Sequence, residues 1–193
     1  MSVPPIAKAT LQAAVINAGS NVLAQGIKAY RDEQYNLKVP FELDTTALMQ
    51  FTTCALIVSP LGYLWLENLE AWFPGKMPVT EEKEKASSPE DKLVSKPGLN
   101  VTNTIAKIVI DQVIGGAWNT VLFIVTMGML RGLDMSTIKT QLYMDFAGIM
   151  VAGLKLWPFV SILNFTVVPA DQRLLVGSLF GVLWAIYLSL VAG

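Results

Sequence analysis

Six polar residues in otherwise apolar surroundings hold what chemistry this chain has: Lys107, Asp111, Lys155, and the amides Asn17, Asn21 and Gln25. In lipid each must find a partner or line water, because an unsatisfied polar group there costs several kcal/mol by roughly the usual estimate. Such residues mark either a path for solutes or a bonded contact between helices. At about 100° per residue, Asn17, Asn21 and Gln25 share one stripe with Thr10 and Lys28, while Thr104, Lys107, Asp111 and Trp118 share another. Lys107 and Asp111 stand one turn apart, so the spacing predicts that they pair and form a buried polar centre. Lys155 shares a face with Gly148 and Ala152, and the three stripes together are expected to surround that centre. The bland alternative is that they satisfy one another across helix contacts and open nothing.

Catalysis has little to work with. There is no histidine and one cysteine, Cys54, inside an apolar run, so Ser-His and Cys-His nucleophile pairs are absent. No ligand cluster of zinc type exists, and Asp111 is read as the only carboxylate deep in a span. Gly115-Gly116 is mid-helix and is read as close packing rather than a phosphate loop. The expectation is therefore no enzyme, no metal and no cofactor.

The elements that position these residues follow from composition. Of 193 residues 53% are hydrophobic and 15% charged, the formal net charge is -1, and the mean hydropathy is +0.49. That balance points to lipid as the surrounding medium and gives no basic stripe for nucleic acid. A helix needs ~20 apolar residues to cross the hydrocarbon. Five stretches qualify, at about 5–29, 45–66, 103–130, 146–168 and 174–193. Pro158 should kink the fourth. Between the third span and the fourth, Met135, Ile138, Leu142 and Phe146 recur at helical spacing, which predicts an interfacial amphipathic helix over 134–145. The fold class is an all-α polytopic helical bundle, one domain over 1–193, with four spans as the alternative count. Residues 74–98, rich in Glu and Lys, read as a solvated flexible connector. Gly177, Gly181, Ala185 and Ser189 make a ridge of small residues suited to helix packing, within the chain or in a homo-oligomer through the Gly177/Gly181 face. Lys and Arg are spread over nearly every loop, so orientation is not set by charge.

The C-terminal third carries a recognisable pattern. Lys155, Trp157-Pro158, Asn164-Phe165, Val168-Pro169, Arg173, Trp184 and Tyr187-Leu188-Ser189 reproduce K-x-W-P, N-F-x-x-V-P, an arginine four residues on, and W-x-x-Y-L-S. By these residues the chain resembles the Mpv17/PMP22 family, most diagnostically over 128–193. Upstream, Lys107 with Asp111-Gln112 is similar to the family's K-x-x-x-D-Q, and Ser59-Pro60 with Trp65 to its G-P-x-x-H-x-W-Y. Ser59 stands where the family has Gly, Tyr63 where it has His, and Leu66 where it has Tyr, which places the chain in a divergent branch. The resemblance implies an integral protein of the peroxisomal membrane or mitochondrial inner membrane without catalysis. It also implies a channel-like permeability role for small solutes, against a membrane scaffold or sorting protein as the competing class.

Overall fold

The computed structural model describes residues 3–34, 41–76 and 98–191. Among these, every regular element is a helix. In chain order they are α1 (Pro5–Gln34), α2 (Thr45–Trp72), α3 (Val101–Leu130), α4 (Met135–Gly153), α5 (Trp157–Thr166) and α6 (Arg173–Val191), with a 3-10 turn at Ala170–Gln172. Two of them, α2 and α3, are long and apolar enough to cross a membrane, and the pair α4 and α5, bent by 56°, counts as a third if taken as one broken span. At 1.5 Å per residue the 30 residues of α3 extend ~45 Å, beyond the ~30 Å hydrocarbon. These three account for the second, third and fourth of the expected stretches.

Each of α2, α3 and α4 begins where the chain supplies an acceptor for the helix's free N–H groups. Asp44 accepts from Ala47 N at the start of α2, and Asn100 accepts from Asn103 N at the start of α3. Asp134 accepts from Ser136 N and Thr137 N at the start of α4, and from the hydroxyls of both. Those hydrogen bonds hold the Asp134 carboxyl well below the ordinary carboxylate range. Being lowered in the folded state, it stabilises α4 above the unfolded value and stops doing so only as pH falls through the folded one. Between α3 and α4 the chain reverses through Gly132, whose φ of 72° favours a residue without a side chain. Leu133 N donates to Gly128 O and Gly132 N to Met129 O, the two bonds of a Schellman ending.

Packing follows the hairpins. α2 and α3 run antiparallel, with Phe51 on Phe123 at 6.3 Å and Gln50 Nε2 donating to Leu130 O. α1 lies along α2 and α6, while α4 and α5 run back along α3. The fourth span and the interfacial helix need correction. No break separates 134–145 from residues 146–153, because nothing between Met135 and Gly153 interrupts a helix; the two are one element. Its Ile138, 2% exposed, packs against Gly128 of α3 and not on a lipid surface. The interruption falls at 154–156, just before the proline, where Lys155 N and Leu156 N close tighter bonds to Ala152 O and Gly153 O. Pro158 cannot donate to the carbonyl four residues earlier, so the helix stops and restarts with Pro158 in the first turn of α5, where no such bond is needed.

The α3–α4 contact gives a first expected result. A Cβ on Gly128 would lie 2.7 Å from Ile138 Cγ1. Gly128→Ala should therefore lose about 1–3 kcal/mol despite the better helix propensity of alanine, and Ile138→Val, which removes the Cδ1 that would lie 3.0 Å from the same Cβ, should recover part of it. Unfolding in detergent of the single and double variants checks this; a more stable Gly128→Ala protein contradicts it.

Candidate functional site

The buried polar residues assemble near one end of the bundle, where α2 and α5 finish and α3 and α6 begin. Glu70, in the last turn of α2, is the centre. Its Oε2 lies 2.6 Å from Lys107 Nζ and 2.6 Å from Arg173 Nη1. Its Oε1 accepts from Gly75 N at 2.8 Å, so the chain leaving α2 folds back over the carboxylate. Lys107 is 0% exposed and Arg173 6%. Both cations lie over the ring of Phe165, at 5.2 and 5.1 Å from its centroid, where the negative face of the π system favours them. Arg173 Nε donates to Asn164 O and Val168 O, and Asn164 Nδ2 donates back to Arg173 O. That ties the end of α5 to the start of α6. Asn164 Oδ1 is buried there with no hydrogen-bond partner among the described residues. One carboxylate facing two cations leaves the cluster one positive charge in formal terms.

Glycine is required where α2 ends. A Cβ on Gly75 would sit 2.7 Å from Lys107 Nζ and 3.2 Å from Glu70 Oε1, so a side chain there would displace the ion pair. The same loop binds the start of α3, since Asn100 N donates to Gly75 O and Asn103 Nδ2 to Pro74 O. Of the expected connector 74–98, the stretch 77–97 lies outside the described residues.

About a turn deeper, Asp111 forms a second cluster. Its Oδ1 accepts from Trp65 Nε1 at 2.9 Å, and its Oδ2 from Ser161 Oγ at 2.6 Å; Ser161 Oγ accepts in turn from Gln112 Nε2. Here α3 widens into a π-helical turn, Asp111–Gly115, in which Gly116 N donates to Asp111 O five residues back. Gly115 lets the Trp65 ring approach: a Cβ there would be 2.6 Å from Trp65 Nε1. The π turn, the glycine and the indole thus define one contact joining α2, α3 and α5.

Several expectations change. Lys107 does not pair with Asp111; Glu70 takes it. The reason is geometric, because side chains on a helix lean toward its N-terminus and the lysine reaches back toward Glu70 and Gly75, away from Asp111. Asn17, Asn21 and Gln25 do not surround this centre. Asn17 Nδ2 donates to Ala13 O, Gln25 Nε2 to Asn21 Oδ1, and Gln25 exchanges two hydrogen bonds with the backbone of Asp44, tying α1 to the start of α2. Lys155 is exposed at the α4–α5 break and bonds Tyr187 Oη at 3.1 Å. Gly177 and Gly181 meet nothing within 4 Å of a built Cβ, so this part of the ridge packs on no helix among the described residues; the side chain of Ser189 is outside them, and Ala185 is half-buried.

Glu70 is invisible to hydropathy, because the apolar stretch of the second span ends at Leu66 while the helix continues to Trp72 and carries Glu67 and Glu70 with it. Tyr63, buried in α2, donates to Glu67 Oε1, using one of these carboxylates locally. Arg173 is legible as a motif residue, though not as an ion-pair partner. The motif divides between two places: Asn164, Phe165 and Arg173 build the ion cluster, while Trp157 and Trp184 meet edge to face at 6.4 Å near Lys155. Pro158 opens α5 and Pro169 precedes the 3-10 turn. Among the described residues no group of three or more His, Cys, Asp or Glu side chains could hold a metal ion.

The profile of the Mpv17 / PMP22 family matches residues 128–189, the stretch that contains most of this motif. The chain is 28% identical over 188 residues to PXMP2/4 family protein 3 of Dictyostelium discoideum, covering 97% of this chain and 84% of that one. It is 30% identical over 128 residues to an Mpv17-like protein of Bos taurus, covering 66% and 53%. It is 34% identical over 101 residues to the mitochondrial inner membrane protein Mpv17 of Bos taurus, covering 51% and 55%. No solved structure matches.

Proposed function

Since the chain belongs to the Mpv17 / PMP22 family, we propose that it is a permeability module for small solutes in an organelle membrane, closed in the arrangement described here. The observation that supports this reading is the placement of Glu70, Lys107 and Arg173 inside the helical bundle. Ionisable groups within membrane helices are costly and mark pathways more often than they serve packing alone. As arranged, Glu70 Oε2 holds both cations at 2.6 Å. Separation of Arg173 from Glu70 would free one positive charge at this end of the bundle, and a lumen of that sign favours small anions. Five spans complete the proposal, with α1 and α6 crossing beside α2. The membrane is the mitochondrial inner membrane, as in the name of the bovine relative, or the peroxisomal membrane that the family resemblance implies. No catalytic step is part of this function.

A second reading, a non-conducting scaffold, draws on Gly177 and Gly181, which lie open on α6 and would suit a second helix. Flux from liposomes reconstituted with the full chain separates the two. A permeability module releases small anions and Arg173→Gln alters the rate; a correctly inserted protein with no leak at any voltage leaves the scaffold.

A further inference from the structure

We propose that the hollow beside the α4–α5 break binds the phosphate of an acidic phospholipid headgroup, independently of whether the protein conducts. A cavity of about 220 Å³ opens there, lined by Lys155, Leu156, Leu183, Trp184 and Tyr187. Sites that enclose a whole small molecule occupy roughly 300–1,000 Å³, so this one accommodates part of a ligand whose remainder lies outside. Apolar walls with a single cation suit a headgroup whose acyl chains stay in the surrounding lipid.

The walls are preorganised. Trp184 stacks on Tyr187 at 5.4 Å between centroids, and Trp157 supports Trp184 from behind, edge to face. Lys155 Nζ sits 5.7 Å from the Tyr187 ring centroid and donates to its Oη. An ammonium carries three donors, and the phenol takes one of them. No carboxylate among the described residues pairs with it, since both ion pairs there belong to Glu70. A cation held beside a membrane helix without a counter-ion is costly, and a lipid phosphate supplies the missing charge through charge-assisted hydrogen bonds. The first turn of α5 begins two residues beyond Lys155, so the positive end of that helix favours the same sign of ligand. Basic pockets between membrane helices are where acidic headgroups are recognised by this combination of charge and apolar wall.

The test is to purify the full chain in neutral detergent, titrate it separately with phosphatidylglycerol, phosphatidylcholine and soluble glycerophosphate, and count bound molecules by native mass spectrometry. Phosphatidylglycerol should bind the natural protein roughly tenfold more tightly than it binds Lys155→Gln, as expected for loss of a charge-assisted bond. Lys155→Arg should retain most of that affinity, Trp184→Leu should weaken it, and phosphatidylcholine binding should not change. Thermal unfolding of Lys155→Gln should match the natural protein, separating lost binding from lost fold. Phosphatidylglycerol binding unaffected by Lys155→Gln overturns the site. Glycerophosphate binding with the same dependence on Lys155 overturns the lipid as the ligand's source and assigns the cavity to a free phosphate ester.

Discussion

Glu70→Gln should be among the most damaging single substitutions in this protein, costing about 3–5 kcal/mol, because it leaves two cations in a buried cluster without the one carboxylate that pairs with them among the described residues. Lys107 is 0% exposed and cannot reach water from its place above Phe165. Arg173 retains the carbonyls of Asn164 and Val168, which offset only part of the loss. Lys107→Met should be milder, since Glu70 still has Arg173 and the backbone N–H of Gly75. The ordering identifies a triad and not a pair. In a triad, the double variant Glu70→Gln with Lys107→Met is more stable than Glu70→Gln alone, because one stranded charge has gone. Denaturant unfolding in detergent of the three variants measures this. Strictly additive losses would mean that Glu70 and Lys107 are not energetically coupled, and equal losses from the two single changes would point to a simple pair and not a triad.

The second large effect is expected at Asp111, and it should depend on shape and hydrogen-bonding capacity together. Asp111→Leu removes the acceptor of both Trp65 Nε1 and Ser161 Oγ and strands the indole N–H, for a loss of about 3 kcal/mol at the usual cost of unsatisfied buried groups. Asp111→Asn keeps an oxygen for the indole and places an N–H₂ against Ser161 Oγ, which has a second lone pair beyond the one used by Gln112. That variant should lose about 1 kcal/mol and keep the near-ultraviolet circular dichroism of the tryptophans. Equal losses from Asn and Leu would show that Asp111 does not hold the α2–α3–α5 contact through its hydrogen bonds.

Much of this architecture is legible in the sequence because lipid makes polar residues conspicuous. Lys107 and Asp111 stand out in an apolar run, and both belong to buried clusters. Their partners are not legible. Glu70 sits on another helix 37 residues away, and which residue meets Lys107 depends on where α2 stops and how α3 is set against it. The π turn at Asp111 has no signature beyond Gly115 and Gly116. Periodicity finds the polar stripe of α1, yet it cannot distinguish a face turned to water from one closed on nearby backbone, and Gln25 bound to Asp44 is the latter. Pro158 announces a break but not its place, since the chain gives way in the residues preceding the ring.

The hydrogen bond from Asn100 N to Gly75 O, with the Lys76–Leu99 bridge beside it, has a practical consequence for handling this protein. Two points of the backbone on either side of residues 77–97 are fastened together before any of those residues contributes. An insertion between them lengthens a segment whose ends are already joined, and the entropy of closure grows only as the logarithm of length. Residues 77–97 are therefore the natural port for an epitope or a fluorescent reporter. A label carried there reports which side of the membrane the ion cluster faces without pulling on α2 or α3.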